Sequence, residues 1–172
     1  MGPGVHRDDH VARSFMTSPK SLSRSPSSTV SGTTIVTSLL TIQTSGRGFT
    51  DLTAEIAKFV EDAGAREGAV TLFIRHASAS LTVQENADPS VLDDLMTVLD
   101  RLAPEGAGWS HDSEGPDDMP AHVKTMLTAT SLHIPVLKGE LALGTWQAIY
   151  LIEHRTRPHR REIVLQFAGA TC

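Results

Sequence analysis

A chain of 172 residues with 40% hydrophobic and 20% charged side chains is long enough for one globular domain and too apolar to be disordered throughout. The net charge is −5 with histidine neutral; residues 1–32 hold four of the 15 basic and two of the 20 acidic groups. Eleven basic and eighteen acidic groups remain for residues 33–172, a net of −7. This acidic balance argues against a nucleic-acid surface, so we expect no nucleic-acid partner.

Cysteine content and hydropathy favour a cytoplasmic protein. Cys172 is the single cysteine, so neither a disulfide nor a thiolate zinc site can form within one chain. No apolar run approaches the roughly 18 residues of a membrane span, and the first ten residues lack the apolar segment of a signal peptide. We expect no membrane partner.

The chain divides into two parts by composition. Residues 1–32 are rich in Ser, Pro and Arg with little apolar periodicity, so they cannot bury enough surface to offset the entropy of ordering, and we predict a flexible tail. Residues 33–172 are predicted to form a single domain. Its β-branched and apolar runs predict strands at these positions: 33–42, 69–75, 80–84, 131–136, 140–143, 147–153 and 161–167.

Apolar residues at helical spacing predict two amphipathic helices. The first covers residues 51–63 with Asp51 as N-cap, and the second starts at Pro89 with Asp88 as N-cap. Pro120 is expected to open a further short helix to about Leu127. The strand at 80–84 is expected to be the hairpin or sheet neighbour of the strand that ends at His76. Early helices followed by short strands indicate an α+β class, with two helices packed on a mostly antiparallel, β-sandwich-like core.

The segment between Trp109 and Lys124 carries the strongest chemical signal. His111 and His122 enclose four acids and two prolines in the sequence S-H-D-S-E-G-P-D-D-M-P-A-H. Imidazoles and carboxylates in a bent backbone are the ligands that a divalent cation such as zinc or manganese requires. Each histidine alone could instead be a hydrogen-bonded structural residue, and Asp117 or Asp118 could instead complement the dipole of the following helix.

Polar residues at the ends of the predicted strands are candidates for binding an anion. His76, Ser78 and Ser80 follow a buried strand, where they could meet a phosphate or simply lie at a sheet edge. Asn86 precedes the N-terminus of a helix, which is a natural anion site, although turn chemistry explains it equally well. Arg155 could clamp a phosphate in bidentate fashion, since strand alternation places it with Glu153 on one face.

The Arg-rich stretch of Arg155, Arg157, Arg160 and Arg161 has a plainer interpretation as a solvated turn and strand edge.

Three motifs resemble the YjbQ-like family, also called the secondary thiamine-phosphate synthase family. They are H-A-S-A-S-L-T-V-Q-E-N-A-D-P (76–89), S-H-D-S-E-G-P-D-D-M-P-A-H-V-K (110–124) and G-E-L-A-L-G-T-W-Q-A-I-Y-L-I-E-H-R (139–155). The similarity spans about residues 34–169 and leaves the tail outside. Ala77, Ala148 and His133 depart from the residues usual in the family, and without a hydroxyl at Ala77 a hydrogen bond in the pocket could be lost.

The resemblance implies a homotrimer with pockets near subunit contacts and a weak thiamine-phosphate synthase activity. The family's site residues correspond here to His76, His111, Glu114, Asp117, Asp118 and His122. Combined with the residue chemistry, this predicts a divalent metal (zinc, manganese or magnesium) on His111, His122 and Glu114. It also predicts catalytic roles for His76, Asp117 and Asp118, and phosphate contacts from Ser78, Ser80, Asn86 and Arg155. The partner would be a small phosphorylated molecule. The alternative is a trimeric module that binds a metal or anion without turnover.

Overall fold

The computed structural model describes residues 32–172, and the predicted tail therefore lies outside the described residues except for Gly32. Within this range three helices lie among eight strands, and the prediction of an α+β class is confirmed. The strands are β1 (Thr34–Gln43), β2 (Gly48–Asp51), β3 (Ala65–Ile74), β4 (Ala79–Glu85), β5 (Ser131–Leu137), β6 (Glu140–Leu141), β7 (Gln147–Glu153) and β8 (Arg160–Thr171). The helices are α1 (Thr53–Asp62), α2 (Pro89–Leu102) and α3 (Asp118–Leu127).

Two antiparallel sheets form the framework. The larger sheet has the order β1-β8-β3-β5-β6, and the smaller sheet has the order β2-β7-β4. β1 runs along β8 over its whole length, from Thr34 opposite Gly169 to Gln43 opposite Arg160. β7 is the central strand of the smaller sheet, and every one of its residues except the first is buried.

The hydrophobic core lies between the two sheets and under α1. Alternate residues of the central strands point into it, as the period of two in a strand requires. Helix α1 contributes Ile56 and Val60, which lie one turn apart on the same face and are fully buried. The core residues of the strands are Ala65, Val70, Leu72, Ile74, Ala79, Leu81, Ile134, Val136, Ile149, Leu151, Ile163, Leu165 and Phe167.

Strand β4 does not lie where the sequence analysis placed it. It is not the sheet neighbour of β3 but pairs with β7 in the other sheet, with Ala79 opposite Glu153 and Glu85 opposite Gln147. The expectation was wrong because apolar periodicity identifies a strand without identifying its partner. The short segment 75–78, which contains His76 and Ser78, therefore carries the chain from one sheet to the other.

The helix starts agree in part with the sequence analysis. Asp88 caps α2 as predicted, since its Oδ1 accepts a hydrogen bond of 2.9 Å from the Ser90 N–H. Asp51 is the last residue of β2 and Leu52 takes the N-cap position of α1, yet the Asp51 Oδ1 accepts a hydrogen bond of 2.8 Å from the Thr53 N–H, so the predicted capping side chain acts from one residue before the N-cap position. The third helix, α3, begins two residues before Pro120, with Asp117 in the N-cap position.

Helix α2 is the least buried of the three helices. None of its residues is fully buried, and its apolar stripe leaves Val98 and Leu102 largely exposed, at 47% and 61%. On α3, Met126 is 78% exposed. None of the helices in residues 32–172 is long and apolar enough to cross a membrane.

A close backbone approach joins β3 and β8 where Gly68 lies opposite Gly169. A Cβ atom on Gly169 would lie 2.7 Å from the Gly68 Cα and 2.8 Å from the Phe167 Cζ, and it would also clash with the Glu67 carbonyl oxygen. These neighbours are largely backbone of the central strands, so they cannot move aside cheaply. Glycine is required at this position by space.

We expect Gly169→Ala to lower the free energy of unfolding by about 1–3 kcal/mol, because the added methyl group overpacks the β3–β8 contact. Urea-induced unfolding followed by circular dichroism would measure the change. Gly144→Ala is the matched control, because its new Cβ would meet the flexible Gln147 side chain at 3.3 Å. Equal stability of the two variants would contradict the steric interpretation.

Candidate metal centre

His111, Asp118 and His122 come together at the start of α3. Asp118 and His122 lie one helical turn apart on the same face, and His111 reaches them from the loop that precedes the helix. The Asp118 Oδ2 is 2.7 Å from the His111 Nε2 and 3.5 Å from the His122 Nε2. The two imidazole rings are 5.8 Å apart between centroids.

The chemistry of these donors fits a divalent transition metal. Two imidazole nitrogens and one carboxylate oxygen all lie within 4.8 Å of one another, which is compatible with metal–ligand distances of about 2.0–2.2 Å. Asp118 is 2% exposed at its side chain, whereas the His111 and His122 side chains are 46% and 37% exposed. The cluster thus has a buried carboxylate and an open side toward solvent, where a further ligand can reach it.

Arg155 lies two residues beyond the end of β7 and contacts this cluster through Asp118. Its Nη1 donates to the Asp118 Oδ1, its Nε donates to the Asp117 Oδ2 at 3.2 Å, and its Nη2 donates to the Glu114 carbonyl oxygen at 2.7 Å. One guanidinium group therefore contacts three residues of the acid–histidine segment. The phosphate contact predicted for Arg155 stays a prediction, and all three nitrogens of the guanidinium already have an acceptor within the chain.

Asp117 is held as an anion. Burial by itself would raise the pKa of the Asp117 carboxyl, but hydrogen bonds from the Thr156 N–H (2.8 Å), the Thr156 hydroxyl (3.0 Å) and Arg155 outweigh it and bring the pKa to about 2. Asp117 occupies the N-cap position of α3, where its carbonyl oxygen accepts from the Ala121 N–H at 3.0 Å but its side chain accepts no hydrogen bond from the helix. Its carboxylate instead joins the helix start to the loop after β7.

A cavity of about 290 Å³ is lined in part by Arg155. Asp117, Arg155 and Thr156 form one wall, shared with the surroundings of the candidate metal ligands. The remaining wall includes both cationic and acidic side chains: Glu105, Glu114, Arg157 and His159. Such a mixed lining suits a polar ligand better than an apolar one.

His76 lies apart from the His111–Asp118–His122 cluster. Its Nε2 accepts a hydrogen bond of 2.8 Å from the Glu162 N–H, and it lines a separate open cavity with Phe73 and Thr125. Burial and the nearby Arg161 charge lower the pKa of His76. The catalytic role predicted for His76 stays a prediction, and the structure does not bring its ring to the candidate metal ligands.

The predicted phosphate contacts other than Arg155 are also distributed elsewhere. The Ser80 hydroxyl is fully buried and lies 2.8 Å from the His154 Nε2, while the Ser78 carbonyl oxygen accepts from Arg161. The Asn86 N–H donates to the Trp146 carbonyl oxygen beside the Gly144–Gln147 turn. The Glu114 carboxylate, predicted as a metal ligand, is on an exposed residue and is not among the ligand atoms that gather in residues 32–172.

Several buried polar residues were not identified from the sequence. Lys124 is 2% exposed and its Nζ donates to the Asp100 Oδ1 at 2.5 Å. Arg161, interpreted above as part of a solvated stretch, is 3% exposed and donates to both carboxylate oxygens of Glu153, at 2.6 and 2.7 Å. Thr156 was missed as well. The acidic Glu153 and the basic Arg161 lie on opposite sides of a turn, and this pairing of charges was a signal that could have identified Arg161. No local pattern marks Lys124 or Thr156.

The expected shared face of Glu153 and Arg155 is wrong for a structural reason. β7 is covered on both sides, so Glu153 is 1% exposed and its carboxylate is neutralised by Arg161 rather than flanking an open pocket. Arg155 follows the end of the strand, where alternation no longer applies. His154, between them, is also buried.

An α+β domain with two curled antiparallel sheets and a histidine–carboxylate cluster at a helix start defines the structural class. Residues 38–170 match the family described as UPF0047 protein YjbQ-like. The chain belongs to this family. The resemblance seen in the three sequence motifs is thereby confirmed at the level of the family.

Relatives and solved structures agree with this assignment. The UPF0047 protein sll1880 of Synechocystis sp. is 48% identical over 132 residues, covering 76% of this chain and 90% of the relative. The UPF0047 protein YjbQ of Escherichia coli O157:H7 is 41% identical, covering 76% and 95%. The crystal structure of an uncharacterized conserved protein of the YjbQ/UPF0047 family from Clostridium acetobutylicum has a TM-score of 0.70 at 34% identity, covering 75% of this chain and 98% of that one.

The buried His154 gives the protein a pH-dependent stability. Burial lowers the pKa of His154 to about 4, and the Lys124 charge acts in the same direction. In the unfolded chain the pKa of a histidine is about 6.5, so the unfolded state binds more protons between pH 6.5 and 4 and stability falls as the pH falls.

We expect the free energy of unfolding to decrease by about 2 kcal/mol between pH 7 and pH 5 because of His154. Urea unfolding at both pH values would measure this decrease, to which His76 contributes in the same direction. His154→Gln should remove most of the pH dependence, whereas His133→Gln, at an exposed residue of β5, should retain it. An unchanged slope in His154→Gln would contradict the assignment.

Proposed function

We propose that His111, Asp118 and His122 bind a divalent metal ion and that the protein is a metal-assisted enzyme acting on a small phosphorylated molecule. The observation that carries this proposal is the gathering of two imidazole nitrogens and one buried carboxylate oxygen within 4.8 Å. A purely structural triad would have no need of an open side, yet both histidine side chains are more than one third exposed.

The donor set favours zinc or manganese over magnesium. Magnesium prefers oxygen ligands and retains several waters, whereas zinc accepts two imidazoles and a carboxylate and leaves a position open in catalytic sites. Glu114 is a further candidate ligand on the same loop, since its backbone is already tied to Arg155 beside the cluster. The identity of the ion is thus a question that metal analysis can answer directly.

The substrate class follows from the charges next to the cluster. When bound, the metal ion would stabilise negative charge that develops on a phosphoryl or pyrophosphoryl leaving group. Arg157 and His159 line the adjoining cavity and would supply donors for phosphate oxygens. Arg155 stands between the two regions, with 12% of its side chain exposed.

Thiamine-phosphate synthesis, implied by the family resemblance, is a reaction that this arrangement would suit. The bond between the pyrimidine methylene carbon and the pyrophosphate oxygen breaks, with both electrons leaving on the pyrophosphate. The lone pair of the thiazole-phosphate nitrogen then forms the new C–N bond, and no proton needs to be removed. The residues of the site would orient the pyrophosphate and hold its charge, which is the main requirement of such a reaction.

The second candidate is a trimeric module that uses the same residues to hold a metal or anion without turnover. His76, Ser80 and Asn86 are not among the ligand atoms that gather in residues 32–172, and each forms hydrogen bonds elsewhere in the chain, which favours this second candidate. Turnover of about 1 per second or more on a phosphorylated substrate would support the enzyme, and uniformly feeble rates would support the module.

We also propose that the chain assembles as a homotrimer. Large apolar side chains are exposed on α2 and on α3, two helices that contact each other: Val98, Leu102, Met126 and Leu127 are 47–78% exposed. A cluster of this kind marks an interaction surface more often than a solvated one. Burial of α2 against a second copy would also supply the packing that the helix lacks within one chain.

We expect near-stoichiometric zinc or manganese in the purified protein and at least a tenfold lower metal affinity in His111→Ala and His122→Ala, since each removes one of three ligands. Elemental analysis and isothermal titration would measure this. His133→Ala is the matched control, because that histidine bonds to Thr71 in the larger sheet and is not one of the gathered ligands. Thiamine-phosphate formation should fall together with metal content.

Metal-free wild-type protein after incubation with zinc, manganese and magnesium would refute the metal proposal. Stoichiometric metal without measurable turnover would instead select the binding module.

For the assembly, we expect light scattering to give about three times the chain mass of 18.5 kDa. The double variant Leu102→Glu with Met126→Glu should dissociate toward the monomer, because it places charge in the apolar cluster. Lys138→Glu, at an exposed turn residue, serves as the control for added charge. A monomeric wild-type protein would contradict the trimer.

A further inference from the structure

We infer that Arg155 is a positioning residue, which holds Asp118 and the His111 loop in the geometry that a metal ion needs. This inference rests on the metal site proposed above and deepens it. From the sequence alone, Arg155 was a candidate for phosphate binding. Its contacts within the chain instead indicate that it orients the metal ligands.

The two oxygens of the Asp118 carboxylate have different hydrogen-bond partners. Oδ1 accepts from the Arg155 Nη1, while Oδ2 faces the Nε2 atoms of His111 and His122. A carboxylate that is 2% exposed loses its hydration, so an unpaired oxygen would be costly. Arg155 pairs the oxygen that the metal would not use and thereby fixes the direction of the other one.

The same guanidinium also fixes the segment that carries His111. Residues 104–117 form no helix or strand between α2 and α3, so His111 depends on tertiary contacts for its position. Arg155 Nη2 donates to the Glu114 carbonyl oxygen at 2.7 Å, three residues after His111, and Nε reaches Asp117 at 3.2 Å. The planar guanidinium group of Arg155 thus connects both the loop and the start of α3 to the end of β7.

Charge and geometry make opposite predictions for the loss of Arg155. A guanidinium close to the site repels a bound cation, so removal of its charge alone would tighten metal binding. Loss of the orienting hydrogen bonds would weaken it, and groups that orient metal ligands typically contribute 10- to 100-fold in affinity. The Asp117 carboxylate, which also contacts the guanidinium, offsets much of the repulsion, so the geometric effect should dominate.

Lysine cannot replace the arginine in this role. An ammonium group presents its donors from one point, whereas the planar guanidinium reaches Asp117, Asp118 and the Glu114 carbonyl oxygen from three separate nitrogens. Arg155→Lys therefore keeps the positive charge next to the buried Asp117 and Asp118. It removes only the planar group whose three nitrogens reach three separate acceptors. This makes it the informative variant, because the protein should still fold.

The experiment compares zinc affinity, by competition with a chelator, and the visible absorption spectrum of the cobalt(II)-loaded protein, in phosphate-free buffer. We expect Arg155→Lys and Arg155→Gln to bind zinc about 10- to 100-fold more weakly and to shift the cobalt bands, which report ligand geometry. Arg157→Lys and Arg157→Gln, at an exposed residue of the adjoining cavity, should keep the wild-type affinity and spectrum.

Each outcome decides a separate question. Unchanged or tighter zinc binding in both Arg155 variants, with an unchanged cobalt spectrum, would overturn the positioning role and leave the metal site standing. Wild-type protein that takes up neither zinc nor cobalt would refute the metal site and this inference with it. Circular dichroism and the urea midpoint of the metal-free Arg155→Lys protein would verify that the fold persists.

Discussion

The ion pair between Glu153 and Arg161 joins the two sheets at the point on which the site is built. Glu153 ends the central strand of the smaller sheet, Arg161 lies near the start of β8 in the larger one, and both side chains are at most 4% exposed. Three further contacts satisfy this pair: the Thr44 hydroxyl and the Arg155 N–H donate to Glu153, and the Ser78 carbonyl oxygen accepts from Arg161. Removal of one partner would leave a buried charge uncompensated, at a cost of about 3–5 kcal/mol.

The three consecutive residues 153–155 lie in three different environments. Glu153 links the sheets, His154 is buried against Ser80, and Arg155 leaves the sheet to contact the start of α3. Because the backbone at Glu153 is anchored by the ion pair, the position of Arg155 is set to within the freedom of its own side chain. Arg155 in turn holds Asp117, Asp118 and the Glu114 carbonyl oxygen, so the candidate metal ligands are positioned from the core outward.

Local patterns in the sequence identified most of the elements and the two histidines of the cluster, but they added Glu114 rather than Asp118 as the third metal ligand and did not identify β2. Helical spacing identified Ile56 and Val60 as buried, and the Asp88–Pro89 pair identified the start of α2. Here the relevant interactions act within one or two turns of chain, and a sequence reports them directly. The short helix was predicted to begin at Pro120, so it included His122 but not Asp118; only the observed start at Asp118 places these two residues, four apart, on one face.

Partners that are distant along the chain could not be predicted in the same way. The pairing of β4 with β7, the burial of Lys124 and the contact of Arg155 with Asp118 all depend on how two sheets and a helix meet in space. An arginine at a strand end looks the same in the sequence whether it binds a phosphate or a carboxylate. The family resemblance grouped His76 with the cluster, but a shared motif does not specify a shared site within one chain.

The pairing of β1 with β8 has a consequence for how the protein is made. β1 spans residues 34–43 and finds its sheet partner only in residues 160–171, so its hydrogen bonds cannot form until almost the whole domain has been synthesised. At translation rates of about 5–20 residues per second, the strand stays unpaired for on the order of ten seconds. During that interval a run of Ile, Val, Leu and Thr is available to other nascent strands, which makes early chaperone protection valuable.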